Sequence, residues 1–154
     1  MDSSGPNEVL RGNFSARIDP KGRLKVPNGF RVLIQRRFGR DLFITSLTGD
    51  SVRIYPLPVW VEIEAKLAAV PSTLPAKVRF ADRVNYFGQV TELDAQGRAL
   101  IPQRLRDSAG MTGEVDVFGN YDSLDVWNHE RFLAKLQREP FTDADAQALA
   151  QFGI

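Results

Sequence analysis

The chain has no cysteine and a single histidine among its 154 residues. The first absence removes disulfides, thiolate zinc sites and cysteine nucleophiles. The second leaves little for imidazole acid–base or metal chemistry. No Ser/His/Asp set, metal-ligand cluster or phosphate-loop pattern stands in the sequence. An enzyme is therefore not expected, nor a metal or a cofactor. No apolar run approaches the roughly 20 residues that cross a bilayer. Residues 1–10 are polar and lack the apolar segment of a secretion signal. These absences fit a cytoplasmic protein. What is present is ordinary: 43% hydrophobic and 25% charged residues, enough for one sizeable core.

The net charge of +1 hides an uneven distribution. Residues 1–40 carry nine Lys/Arg against three acids, a net of +6. Residues 107–154 carry three bases against nine acids, a net of −6. A basic end points to a polyanionic partner. Part of that charge has a plainer reading, since Arg31, Arg36, Arg37 and Arg40 fall on an expected helix face.

One pattern organises the whole chain. Asp19-Pro20-Lys21-Gly22-Arg23 returns seventy-five residues later as Asp94-Ala95-Gln96-Gly97-Arg98. The match continues without a gap through Val26-Pro27 against Ile101-Pro102 and Phe30-Arg31 against Leu105-Arg106. Two copies are too few for a solenoid but suit a duplicated unit that pairs with itself.

The first copy reads as strand, turn, strand. Phe14, Ala16 and Ile18 alternate with Ser15, Arg17 and Asp19, which predicts a half-buried strand over 14–19. Pro20 presets the turn and Gly22 supplies a positive φ. The Asp19 carboxylate can accept backbone N–H groups there. Pro27 stops the second strand, and Asn28 is expected to cap a helix to about 37. A hairpin over 41–55, a helix from Pro58 to about 70 and a linking helix over 76–86 follow. The second copy replays this order: a strand over 87–94, a turn, a short strand over 98–101 and a helix over 103–109. A hairpin around residues 119–122 and a helix capped by Asn128 complete it. The division is an arm at 1–10, a module at 11–86, a second at 87–139 and an acidic tail at 140–154, partly helical. Each module is β-β-α-β-β-α, of class α+β. A unit this small has little core of its own, so the copies should interleave strands into one barrel-like sheet.

These residues resemble the MraZ family of bacterial transcriptional regulators. Its mark is two Asp-x-x-Gly-Arg motifs on tandem AbrB-like swapped-hairpin modules. The likeness runs from about Leu10 to Leu136 and includes Tyr55-Pro56-Leu57-Pro58-x-Trp60. The resemblance implies a double-split β-barrel-like pseudo-dimer and sequence-specific binding of double-stranded DNA. It also implies promoter repeats upstream of the division and cell-wall gene cluster, ring-like homo-oligomers and a nucleoid-associated, cytoplasmic location.

The residues themselves separate the copies. Outward positions in the first are Arg17, Asp19, Lys21, Arg23 and Lys25, a net of +3. Their counterparts are Glu92, Asp94, Gln96, Arg98 and Leu100, a net of −1. Cations on a protruding β-ribbon suit phosphate contact and guanine readout in the major groove. Arg17, Lys21, Arg23, Lys25 and Arg98 are the candidate DNA contacts, with the first copy expected as the main reader. Asp19, Gly22, Asp94 and Gly97 are expected to shape the turns. Arg23 and Arg98 could instead pair with Asp19 or Asp94, a reading that weighs more for Arg98. Trp60 and Trp127 read as packed anchors and His129 as a surface residue. The rival to a regulator is a ring-forming assembly protein whose motifs do not touch DNA.

Overall fold

The computed structural model describes residues 8–154. The first copy runs β1 (Asn13–Arg17), β2 (Arg23–Lys25), α1 (Asn28–Phe38), β3 (Asp41–Thr45), β4 (Val52–Pro56) and α2 (Leu57–Ala68). Helix α3 (Pro75–Phe87) links the copies. The second runs β5 (Gln89–Glu92), β6 (Arg98–Leu100), α4 (Gln103–Ala109), β7 (Glu114–Asn120), β8 (Ser123–Asn128) and α5 (His129–Arg138). A final helix, α6 (Asp143–Ala150), lies in the tail.

The copies exchange strands. One six-stranded sheet has the order β1-β7-β8-β4-β3-β5, so each copy's hairpin is flanked by a strand of the other. All its pairings are antiparallel. Strands β2 and β6 pair apart from it as a two-stranded ribbon.

Alternation explains the core. Leu42, Ile44, Val52, Ile54, Val115, Val117, Leu124 and Val126 occupy every second position of the four central strands and are all buried. Leu24, Phe30, Ile34, Leu93, Ala99, Ile101 and Leu105 join them from the ribbon, the adjoining loops and the helices of both copies. Each buried side chain of this size contributes about 1.5–3 kcal/mol. On the opposite face Trp60 of α2 stacks on Phe43 at 4.6 Å and meets Val84 of α3. The Thr45 hydroxyl donates to the Val84 carbonyl at 2.8 Å and fastens α3 to that face. Trp60 is thus a packed anchor.

Several expectations change. The sheet does not close into a barrel; it is open, with β1 and β5 as its edges. The ribbon strands are three residues long. Pro27 and Pro102, which cannot donate to a ladder, lie just beyond them. An isolated bridge between Ile18 and Leu24 ties the end of β1 to the ribbon, but no ladder joins the ribbon to the sheet. Phe87 ends α3 instead of starting a strand, because its ring is buried in the core before Gly88 turns the chain. Asn28 is the first helical residue, not the cap, since Pro27 takes that place without a side-chain bond. The hairpin after β7 turns on Tyr121 and Asp122 alone, with Asn120 paired to Ser123 and Tyr121 at φ 66°. Most of the expected arm lies outside the described residues. Its last residue, Leu10, is buried and exchanges backbone hydrogen bonds of 2.8 and 2.9 Å with Tyr121.

Candidate nucleic-acid interface

The two repeated loops are built alike, bond for bond. In the first, Asp19 Oδ1 accepts the backbone N–H of Lys21 at 2.9 Å and of Arg23 at 2.8 Å. Asp19 Oδ2 accepts from Arg23 Nε at 2.7 Å. In the second, Asp94 Oδ1 accepts from the N–H of Gln96 and of Arg98, both at 2.9 Å, and Oδ2 from Arg98 Nε at 2.8 Å. Gly22 and Gly97 close these turns at φ 84° and 74°, which an L side chain rarely adopts.

These bonds set the charge of the loop. The backbone N–H of Arg23, with its side chain and the N–H of Lys21, holds the Asp19 carboxyl below the ordinary aspartate range, against partial desolvation. The same groups around Asp94, led by the N–H of Arg98, act identically there. Each carboxylate is thus ionised at neutral pH and orients its arginine through Nε. The Nη groups of Arg23 and Arg98 have no hydrogen-bond partner among the described residues. A guanidinium anchored by one nitrogen and open at the other two can still grip phosphate or a base edge.

The ribbon brings the loops together. Register pairs Arg23 with Leu100, Leu24 with Ala99 and Lys25 with Arg98. Leu24 and Ala99 are fully buried, so the opposite face carries the charge. The Val26 N–H donates to the Gly97 carbonyl, and the Ile101 N–H to the Gly22 carbonyl, both at 3.0 Å. Lys21 sits exposed at one loop tip and Gln96 at the other. Arg17 is exposed at the end of β1, opposite Glu114 of β7.

The remaining basic cluster is engaged elsewhere. Arg36 pairs with Glu8 at 2.7 Å. Arg37 donates to the Glu8 carbonyl at 2.6 Å, and Arg40 to the Leu93 carbonyl at 2.6 Å. By contrast Arg17, Lys21 and Lys25 make no ion pair among the described residues.

Two residues at the loops escape a reading of the sequence for charge. A Cβ on Gly22 would overlap the guanidinium of Arg106, and one on Gly97 would overlap the side chain of Arg31. The signal was present, since these arginines are the last matched position of the repeat. His129 also has a partner: its Nδ1 lies 2.8 Å from Asp116 Oδ2.

No helix of the described residues is long and apolar enough to cross a membrane. Residues 89–152 match the family model described as "MraZ protein, putative antitoxin-like". The chain is 51% identical over 146 residues to the transcriptional regulator MraZ of Acidobacterium capsulatum, covering 95% of this chain and all of that protein. It is 44% identical to the one of Koribacter versatilis, over 95% of this chain and all of that protein. For that of Chromobacterium violaceum the identity is 33%, over 87% and 86% of the two chains. By these matches, the chain belongs to the MraZ family.

Proposed function

We propose that this chain is a DNA-binding transcriptional regulator that presents the β2–β6 ribbon to the major groove. The observation that carries this reading is the pair of Asp-x-x-Gly-Arg loops on one ribbon, each arginine anchored through Nε and open at Nη. Arg23 and Arg98 are the base-reading candidates, and Arg17, Lys21 and Lys25 the phosphate contacts. A two-stranded ribbon has the width the major groove admits. The relatives' name, transcriptional regulator, supports the reading.

The strand exchange between copies supports the finer description as tandem AbrB-like swapped hairpins. The targets are promoter repeats upstream of the division and cell-wall gene cluster, and the location is cytoplasmic, on the nucleoid. The protein acts as a ring-like homo-oligomer. Open sheet edges at β1 and β5 and unlike charge at the two ends of the chain favour head-to-tail contact. Repeated sites would then gain affinity by avidity.

The test is a titration of the purified chain against the duplex upstream of its own gene and against a shuffled duplex, at rising salt. The regulator binds the first more tightly. Its log affinity falls by about 0.9 per log unit of salt for each phosphate neutralised. Absence of binding at low salt would leave the assembly protein instead.

A further inference from the structure

We propose that Arg106 and Arg31 are positioning residues, each holding the recognition loop of the opposite copy. Arg106 belongs to helix α4 of the second copy, yet its guanidinium occupies the space beside Gly22 in the first copy's loop. Arg31 belongs to α1 of the first copy, yet its side chain occupies the space beside Gly97 in the second copy's loop. The exchange is reciprocal.

Each arginine is itself aimed by an amide three residues earlier. Arg106 Nη2 donates to Gln103 Oε1 at 2.8 Å, and Arg31 Nη2 to Asn28 Oδ1 at 2.6 Å. Gln103 and Asn28 are each the first residue of their helix. The motif thus reads Pro-amide-x-apolar-Arg in both copies. That accounts for the match extending past the Asp-x-x-Gly-Arg core. Arg106 Nε is buried with no hydrogen-bond partner among the described residues. Burial of that nitrogen, with the guanidinium against Gly22, places the arginine against the first copy's loop.

The glycines complete the argument. Each needs its positive φ for the turn, and each also leaves a gap where a Cβ would be. The opposite copy's arginine fills that gap on one side. Backbone bonds from Ile101 to the Gly22 carbonyl and from Val26 to the Gly97 carbonyl close it on the other. A loop gripped by the partner copy on two sides cannot shift without moving that copy. Preorganisation of this kind lowers the ordering that DNA contact must otherwise impose.

The loop coupling stands on geometry alone; its consequence for DNA rests on the function proposed above. The experiment measures native-state amide exchange on the full chain without DNA, for Arg106→Ala and Arg31→Ala. Arg106→Ala should speed exchange at Lys21 and Arg23 by about fivefold or more while Gln96 and Arg98 keep the parent rates. Arg31→Ala should do the reverse. Arg106→Lys and Arg31→Lys keep the charge and the stem and serve where an alanine variant fails to fold. They should loosen the same opposite loop, because an ammonium lacks the planar fork. Unchanged exchange, loosening of the arginine's own-copy loop, or a uniform rise across the chain each overturns the proposal. A DNA titration of the same variants reads the other question. Failure of the parent to bind DNA removes the proposed function and leaves the exchange pattern to stand or fall by itself.

Discussion

Lys25 and Arg98 face each other across the ribbon, one from each copy of the repeat. The second copy's arginine therefore stands beside a cation of the first, whatever the net charge of its own loop. Both loop arginines are also braced in the same way, at 2.7 and 2.8 Å from their aspartates. The pairing that made Arg98 look structural applies equally to Arg23. What distinguishes the copies is their neighbours, Lys21 against Gln96 and Lys25 against Leu100.

Arg23→Ala and Arg98→Ala should each weaken binding to a specific duplex by about 1–3 kcal/mol per base-reading site. Neither removes a packed core residue, so melting temperatures should move little. Paired isotherms and melting curves test this. Loss from Arg23→Ala alone would show that the first copy reads DNA by itself. A collapsed melting temperature with intact affinity in the folded fraction would make either arginine a brace only.

Gln96→Lys puts a cation at the neutral loop tip. If that tip approaches phosphate, the slope of log affinity against log salt should steepen by about 0.9. Non-specific affinity should rise with it, while the ratio of specific to shuffled duplex falls. An unchanged slope would mean that the second tip stays clear of the backbone.

Much of the fold was legible because it follows local rules. The duplicated motif, the alternation in the hairpins and the Asn128 cap, whose Oδ1 accepts the Arg131 N–H at 3.1 Å, all read directly from the chain. What was not legible depends on the other copy. Asn28 looked like a cap, yet its oxygen serves Arg31. Arg31 and Arg106 looked like helix-surface charge, yet each fills the gap beside a glycine sixty-six or eighty-four residues away in the chain. Among the site residues, the loop geometry follows from type and spacing. Which Nη groups remain open does not.

Trp60→Ala should cost about 3–5 kcal/mol, as for other large-to-small changes in a packed site. Trp60 stacks between Phe43 at 4.6 Å and Phe80 at 6.3 Å, on the sheet face away from the main core. Denaturant unfolding measures the loss. DNA affinity of the folded fraction should be unchanged, since α2 forms no part of the ribbon. A loss below 1 kcal/mol would mean that this second cluster contributes little to stability.

The loop carboxylates should give the protein an acid-labile component. Asp19 and Asp94 have folded pKa values below their unfolded ones. Their contribution is thus present above the unfolded value, about 3.9, and is lost as pH falls through the folded values. The double variant Asp19→Asn, Asp94→Asn should be less stable than the parent at neutral pH, with the gap narrowing as pH falls below about 4. Melting curves at pH 7 and pH 3 check the sign. A gap that widens toward acid would contradict the loop geometry.

The single histidine gives a signal that needs no assignment. His129 Nδ1 lies 2.8 Å from Asp116 Oδ2 across the β7–β8 hairpin. The Asp116 hydrogen bond raises the His129 pKa, partial burial opposes it, and the charges of Asp116, Glu114 and Glu130 add to the rise. A raised folded pKa means that the imidazolium is stabilised in the native state. The resulting stability is fully present below the unfolded value, about 6.5, and is lost as pH rises through the folded value. An NMR titration should therefore show one imidazole midpoint above about 6.5. Asp116→Asn removes the charge but keeps the size, and should bring that midpoint down. As pH rises from about 6.5 through the folded value, the parent should also lose a little stability that the variant does not. A parent midpoint at or below the ordinary histidine value would show that the pair does not persist in solution. A midpoint that stays high in Asp116→Asn would assign the effect to Glu114 and Glu130 instead.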